Sequence, residues 1–416
     1  MKKLLSAALI VAMGIGSIFA SGNSESAAKK DGPVELTFMT NMTDIHADLL
    51  QTISNEYAEE SGNTVEFSAP GSSYEELMKT KMSANELPDL FTTHGWSVLR
   101  YSEYLEPVND LPWFDDINPQ IKPVITDNDN KVFVLPMDVD IAGIIYNETV
   151  LENAGVNVDD IKTWEDFKVA CEAIKATGAD PIHMGGKDNW TIGQFFDWAA
   201  PSFYITNKSD NQRDELKSGE FNQEIWEDLA GLMADMVEKG YFNRDALTAD
   251  YDSDLRALAA GEAAFGFYGN YAFNAVKSYN PDVKLGMMRV PTLTDDDEPT
   301  LISGERTAIG VFKDSKNKDA AIEFLNFLAK ADNITRIATA SGSPAGLSIA
   351  TPDLGELKPY YEKYADVPTF PYFDRAYLPS GMWDVMCATG ADILAQKPNA
   401  VKNAAKVMAE NFNDKF

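Results

Sequence analysis

The stretch Val132–Val150 most constrains what this chain can fold into, because it holds two strand-like runs with no turn signal between them. The runs are Val132–Leu135 and Ile141–Tyr146. This pattern predicts one extended segment that leaves one β-sheet and enters another. Asp138 and Asp140 lie between the runs, so a crossover here would place carboxylates on the floor of a cleft between two lobes.

The N-terminus has the features of a secretory signal peptide over residues 1–20: a positive start, an apolar core at Leu4–Phe19 and a cleavage point at Ala20. A membrane anchor is the alternative, but the run is short for a span and a polar tract follows it. Ser21 stands where an exported lipoprotein carries its lipidated cysteine, so we expect no lipid anchor there. Residues 21–32 are expected to be a flexible tether, and the protein to be periplasmic.

Composition fits a large exported protein. With 416 residues, 44% of them hydrophobic, two domains are the default expectation. A formal net charge of -30 disfavours nucleic acid and anionic membranes as partners. Export permits a disulfide between Cys171 and Cys387. However, Cys171 shares the apolar face of a predicted helix with Phe167, Ala170 and Ile174, so a buried free thiol is expected.

The first part of the chain alternates strands with helices. The predicted strands are Val34–Thr40, Thr64–Ser68 and Asp89–Thr92, and the first helix ends at Gly62. This order predicts a parallel sheet covered by helices on both faces. Ligands of such sheets bind beyond the carboxyl ends of the strands. The rule indicates three segments, residues 40–44, 69–74 and 93–97.

The chain after the crossover predicts a second α/β lobe. A capping box begins a helix at Thr163, and strands are expected at Ala263–Tyr268 and Lys284–Met288. A further strand at Thr307–Phe312 leads into a helix predicted over Lys313–Lys330.

Several stretches, in order over nearly the whole mature chain, resemble the bacterial extracellular solute-binding proteins of carbohydrate ABC importers, the family that includes maltose-binding protein. The residues that carry the resemblance are Pro136, Tyr146-Asn147, Ala154-Gly155-Val156, Thr163–Phe167, Leu258–Gly269 and Ala308–Leu328. The resemblance implies an α/β fold of the type II periplasmic-binding-protein class. In that class, two lobes are joined by a three-crossover hinge, and the ligand lies between them.

The resemblance also implies domain boundaries and partners. Lobe one is expected over residues 33–139 plus 307–345, and lobe two over residues 140–306 plus 346–416. The implied function is to capture a sugar or oligosaccharide as a monomer and deliver it to the permease of an ABC transporter in the inner membrane.

Sugar recognition needs flat apolar faces for the C–H side of the ring and planar polar groups for its hydroxyls. The aromatic candidates are Tyr74, Trp96, Trp190, Tyr271 and Trp383; the polar ones are Asn41, Asp44, Asp138, Asp140, Glu305, Arg306 and Arg375. By the resemblance, Asp140, Tyr271 and Trp383 occupy positions that contact sugar in relatives. Structural alternatives are a solvated hinge acid, ordinary helix packing, and pairing of Glu305 with Arg306.

Other chemistries have less support in the sequence. His46, His94 and His183 lack metal-site spacing, and no phosphate loop or nucleophile elbow occurs, so neither metal nor cofactor is expected. Two alternatives stay open. One is the same fold binding a polyol, polyamine or peptide, and the many acids would suit a cationic ligand. The other is a glycosidase that uses Asp138 and Asp140, which share a face of one strand.

Overall fold

The structure is a computed structural model that describes residues 32–93 and 96–416, except the side chains of Asp44, Ser72 and Leu99. The predicted signal peptide, nearly all of the predicted tether and His94 lie outside the described residues. The strands are β1 (Glu35–Met39), β2 (Thr64–Ser68), β3 (Leu90–Thr92), β4 (Leu135–Pro136), β5 (Val139–Ala142), β6 (Ile144–Asn147), β7 (Asp180–Ile182), β8 (Ala263–Gly266), β9 (Leu285–Met288), β10 (Leu301–Glu305), β11 (Ala308–Val311) and β12 (Thr369–Pro371). The helices are α1 (Asp44–Ser61), α2 (Tyr74–Ala84), α3 (Val98–Tyr101), α4 (Glu148–Asn153), α5 (Trp164–Thr177), α6 (Trp190–Tyr204), α7 (Arg213–Lys217), α8 (Gln223–Glu238), α9 (Tyr251–Ala260), α10 (Tyr271–Tyr279), α11 (Lys318–Leu328), α12 (Ala331–Ser341), α13 (Lys358–Lys363), α14 (Phe373–Tyr377), α15 (Met382–Leu394) and α16 (Ala400–Lys415).

The first sheet has five strands in the order β2-β1-β3-β11-β4. Its three N-terminal strands pair in parallel, as the alternation of strands and helices predicts. Strand β11 arrives from much later in the chain and pairs antiparallel with both β3 and β4. The sheet is therefore mixed, and the late strand brings the segment before it, Glu305–Thr307, to the carboxyl end of β3.

The segment Val132–Val150 passes through three sheets. Strand β4 belongs to the five-stranded sheet, β5 to a three-stranded sheet of order β12-β10-β5, and β6 to a four-stranded sheet of order β7-β8-β6-β9. The predicted change of sheet is confirmed, and the intermediate three-stranded sheet is an addition to it. Gly143 joins β5 to β6 where a Cβ would lie 2.0 Å from the carbonyl oxygen of Met288, so only glycine fits.

Local signals place most helix ends correctly. Thr163 and Asp166 form the predicted capping box of α5, and α1 ends at Gly62, whose φ is 78°. The helix predicted from Lys313 begins instead at Lys318, because Ser315 bonds to Asp89 and holds a turn.

The spacing of apolar residues predicts Ile45 on the buried face of the first helix and Leu77 on that of the second, but they are 56% and 40% exposed. In α1 the reason is the phase of the helix. Ile45, Leu49, Ile53 and Tyr57 are four residues apart, so each is rotated by about 40° from the one before, and Ile45 lies about 120° from Tyr57. Ile53 and Tyr57 therefore face the core with Leu50, whereas Ile45 turns away from it. In α2 the buried face is made by Tyr74 and Met78 instead.

The apolar side chains form two large clusters. One covers the five-stranded sheet and reaches α9 and α10, and the other lies among α5, α6, α8, α15 and α16. Cys171 and Cys387 are buried and free, as expected for Cys171. Over residues 32–93 and 96–416, no helix is both long and apolar enough to cross a bilayer.

Candidate ligand-binding site

Three stretches of chain meet at Asp138, which is fully buried. One carboxylate oxygen accepts a hydrogen bond from the backbone N–H of Thr307 at 2.7 Å, and the other accepts one from the Ser341 hydroxyl at 2.8 Å. Beside them, the N–H of Val139 donates to the Pro344 carbonyl at 2.9 Å. Asp138 therefore ties together the segments before β5, before β11 and after α12, and both of its oxygens are engaged by the protein itself.

Asp140 lies two residues further on and has different surroundings. It is 5% exposed, and its Oδ2 accepts a hydrogen bond from the Tyr372 hydroxyl at 3.0 Å. Its Oδ1 has no hydrogen-bond partner among the described residues. Burial raises the pKa of Asp140 to about 6, although the positive charge of Arg306 opposes the shift. Asp140 thus offers one unused acceptor.

Glu305, at the end of β10, forms an ion pair with Arg375 rather than with its neighbour Arg306. The Glu305 carboxylate lies 3.7 Å from Nη1 of Arg375, which also donates to the Glu305 carbonyl at 3.4 Å. Glu305 is 2% exposed, and its Oε2 has no partner among the described residues. Burial raises the pKa of Glu305 above its ordinary value. The Arg375 guanidinium stacks 4.1 Å from the ring centre of Tyr372.

Tyr271 begins α10 and adds a half-buried aromatic ring to this cluster. Its hydroxyl donates to Oε1 of Gln194 at 3.1 Å, and the Arg306 guanidinium lies 5.4 Å from its ring centre. Nη1 of Arg306 is buried and has no partner within the described part of the chain. The site thus contains a cation, Arg306, against an aromatic ring, Tyr271, together with the acid oxygens of Asp140 and Glu305 that lack partners among the described residues.

Trp190 and Trp383 are both associated with α6: Trp190 is its first residue, and Trp383 packs against it from another helix. Trp190, at the start of that helix, packs edge-on against Tyr251 with ring centres 4.7 Å apart. Trp383 is half-buried and packs against Gly193, where a Cβ would meet its ring at 3.1 Å. Trp190 belongs to α6, and Trp383 belongs to α15.

Asn41, Tyr74 and Trp96 form a separate group at the carboxyl ends of β1 and β3, where the strand rule indicated. The Thr92 hydroxyl donates to the Asn41 side chain at 2.7 Å, and the Tyr74 hydroxyl donates to the Thr92 carbonyl. Tyr74 is 1% exposed, and burial raises its pKa.

Trp96 is 6% exposed, and its indole N–H donates to Glu75 at 3.0 Å. The Arg100 guanidinium covers its ring at 4.4 Å. Trp96 is thus packed into the protein in this conformation. The side chain of Asp44 lies outside the described residues.

Five of the predicted residues therefore come together: Asp140, Glu305, Arg306, Tyr271 and Arg375. Sequence patterns do not single out three further residues: Gln194 and Tyr372, which contact this cluster, and Asp197, which bonds to the backbone next to Arg375. The sequence does contain a signal for Gln194 and Asp197, because they are polar residues within a segment rich in aromatic residues that forms a helix. Tyr372 carries none.

The chain belongs to the family of bacterial extracellular solute-binding proteins, whose family model matches residues 40–334. It is 32% identical over 384 residues to the melibiose/raffinose/stachyose-binding protein MelE of Bacillus subtilis, an alignment that covers 90% of this chain and 89% of MelE. The family predicted from the sequence is confirmed.

Solved structures show the same fold. A sugar transporter of Bacillus licheniformis in complex with stachyose matches with a TM-score of 0.82 at 31% identity, over 92% of this chain and all (100%) of the other. A binding protein of Bacillus subtilis in an open conformation matches with a TM-score of 0.83 at 30% identity, over 92% and 98%. The two-lobed α/β fold of the type II class is confirmed, and these relatives are binding proteins.

Proposed function

We propose that this chain is the substrate-binding component of an ABC importer and that it captures an oligosaccharide with an α-linked galactosyl unit. Melibiose, raffinose and stachyose, named for MelE, share that unit. The observation that carries the proposal is a set of buried atoms without hydrogen-bond partners among the described residues, namely Asp140 Oδ1, Glu305 Oε2 and Arg306 Nη1. The guanidinium of Arg306 also lies against the ring of Tyr271. Sugar hydroxyls can donate to the acids and accept from the arginine, while the ring C–H face packs on the tyrosine.

The charge of this cluster favours a neutral sugar over an anionic one. Some relatives at 24% identity are sn-glycerol-3-phosphate-binding proteins. In this chain two unpaired carboxylate oxygens, of Asp140 and Glu305, would face such a phosphate. Hydrogen bonds from hydroxyls to carboxylates are stronger than bonds between neutral groups, so acids suit a ligand rich in hydroxyls.

We also propose that the protein binds sugar without cleaving it. Glycosidases need two carboxyl groups that face each other across the scissile bond. Both oxygens of Asp138 are engaged by Thr307 and Ser341, which argues against Asp138 and Asp140 as such a pair. Incubation with melibiose for hours should release no galactose, and release that is lost in Asp140→Asn would support the enzyme instead.

The remaining parts of the proposal concern the protein's surroundings. We propose a signal peptide over residues 1–20, a periplasmic monomer, and lobes at residues 33–139 plus 307–345 and 140–306 plus 346–416. Ligand contacts on both lobes would shift the population toward a closed form, which an inner-membrane permease would then recognise.

The test is isothermal titration calorimetry of the chain from Ser21 with melibiose, raffinose and stachyose, and with maltotriose and spermidine for comparison. Tyr271→Ala should weaken raffinose binding about tenfold or more, because it removes the aromatic face. Tyr279→Ala is the matched control, since Tyr279 is an exposed tyrosine at the other end of the same helix. Binding of spermidine alone would retain a solute-binding role but reject the sugar, and equal losses in both variants would reject the site.

A further inference from the structure

Helix α6 is buried on every side, yet it carries two polar residues next to the site. After Trp190 all of its residues are buried, including Gln194 and Asp197, which are 7% and 1% exposed. A buried polar group is costly unless it is bonded. Asp197 lies three residues after Gln194, so both fall on the same side of the helix. Gln194 already has a partner there, the hydroxyl of Tyr271.

Asp197 caps a different helix. Its Oδ1 accepts a hydrogen bond from the backbone N–H of Asp374 at 2.8 Å, in the first turn of α14. The residue at the N-cap position of α14 is Tyr372, which supplies no side-chain cap of its own. Helix N-termini have N–H groups without partners inside the helix, and an acid is a favourable acceptor for them. Asp197 supplies that acceptor from α6.

Helix α14 and its N-cap residue carry two of the groups that define the site. The Tyr372 hydroxyl donates to Asp140, and Arg375 pairs with Glu305. Trp198, next to Asp197, packs its ring 5.4 Å from that of Tyr372 and donates to the Gly143 carbonyl at 2.9 Å. Helix α6 thus holds α14 and the junction of β5 with β6 in a fixed relation.

The acidic side chains at this contact, those of Asp197 and Asp374, are grouped around the Arg375 guanidinium. Burial raises the pKa of Asp374 to about 6, and burial together with the charge of Asp374 raises the pKa of Asp197 well above its ordinary value. The N–H of Asp374 is bonded whichever form Asp197 takes, because a carboxyl group keeps an acceptor oxygen when it is protonated.

We propose that Asp197 is a positioning residue for ligand recognition, which holds the first turn of α14 so that Tyr372 and Arg375 face Asp140 and Glu305. This inference rests on the proposed function. An error of about 1 Å in a recognition group is enough to lose much of its effect. The affinity for the sugar therefore depends on a side chain that bonds to the backbone of another helix.

The experiment measures raffinose affinity by calorimetry and the melting temperature of each variant. Asp197→Ala should weaken binding about tenfold, whereas Asp197→Asn, which keeps an acceptor oxygen, should stay within about threefold of the wild type. Asp297→Ala is the matched control, because Asp297 is a lobe-two acid, 7% exposed, that accepts from the backbone N–H groups of Lys208 and Thr294. Asp297→Ala should lower the melting temperature but leave the affinity for raffinose unchanged.

A double-mutant cycle separates positioning from general stability. If Asp197 acts through Tyr372, the effects of Asp197→Ala and Tyr372→Phe on affinity should be less than additive. Additive effects, or a lower melting temperature with unchanged affinity in Asp197→Ala, would overturn the inference. If Asp197→Ala does not fold, Asp197→Ser tests the same point, since its shorter side chain keeps a polar group but withdraws the acceptor from Asp374. Wild-type protein that binds no sugar would reject the proposed function instead.

Discussion

Substitution of Asp138 by alanine removes the acceptor that joins three segments of the chain. The N–H of Thr307 would lose its 2.7 Å bond and stay buried, since Thr307 is 0% exposed. The Ser341 hydroxyl is less affected, because the carbonyls of Ile337 and Ala338 lie 3.3 and 3.2 Å away. The loss is therefore dominated by one charge-assisted bond and by the donor that it leaves unpaired.

The size of this loss follows from the two bonds. A hydrogen bond to a charged group contributes about 1.5–3 kcal/mol, and a buried donor left without a partner costs about 1–3 kcal/mol. The two contributions are not independent, because both describe the same Thr307 N–H, so they do not add in full. We therefore expect Asp138→Ala to lower the free energy of unfolding by about 2–4 kcal/mol. For a large domain this corresponds to about 4–8 °C in melting temperature. Asp138→Asn keeps an acceptor for Thr307 and should lose about 1 kcal/mol.

The assay is thermal unfolding followed by tryptophan fluorescence, with wild type, Asp138→Asn and Asp138→Ala compared at one pH. If the melting temperature falls by a similar amount in both variants, the negative charge of Asp138, and not the position of its acceptor oxygen, stabilises the junction of the three segments. An unchanged melting temperature in Asp138→Ala would refute the conclusion that Asp138 stabilises the junction of these three segments.

Four further predictions concern the pH dependence of affinity, the pH dependence of stability, a helix cap and a close contact. Raffinose affinity should fall as pH drops through about 6, because ionised Asp140 is the better acceptor and its folded-state pKa is about 6, and Asp140→Asn should flatten the profile. The stability contribution of Asp140 has the opposite sign: a pKa raised above 3.8 by burial means that unfolding becomes harder as pH falls from about 6 toward 4, which thermal melts in that range would detect. Thr163→Ala should cost about 1 kcal/mol in denaturant unfolding, because it removes the capping box of α5. Gly286→Ala should cost about 1–3 kcal/mol in the same assay, since its Cβ would lie 2.1 Å from the Tyr146 ring. Gly231→Ala is the contrasting variant: it has open space at its Cβ and lies inside α8, so it should stabilise the protein by up to about 1 kcal/mol.

The sequence predicts the parts of the fold that local signals control. The sheet change in Val132–Val150 could be predicted because two apolar runs follow one another with no turn between them. The phase of α1 could not, because apolar residues four apart drift around the helix, and packing decides which of them face the core. Strand β10 could not be predicted from the sequence, because Leu301–Glu305 includes a glycine and an acid. Its pairing with β5 and β12 makes it a strand.

The candidate site divides in the same way. Asp140 and Glu305 could be predicted from their positions at the expected crossovers, and Tyr271 from the family resemblance. The contact between Asp197 and the backbone of Asp374 joins residues 177 positions apart, and no local pattern shows that α14 packs on α6. What the sequence lacks is therefore the tertiary contact that gives these residues their role.

Asp138 and Asp140 show how far apart two similar residues can be in role. Two acids separated by one residue on a regular strand share a face, and on that pattern they form an equivalent pair. The chain does not continue as one strand there, because β4 ends at Pro136 and β5 begins at Val139 in another sheet. Asp138 falls in the change between sheets and bonds to Thr307 and Ser341. Asp140 falls within β5, bonds to Tyr372 and keeps one oxygen without a partner among the described residues. Substitutions at the first position should therefore change stability, and substitutions at the second should change affinity.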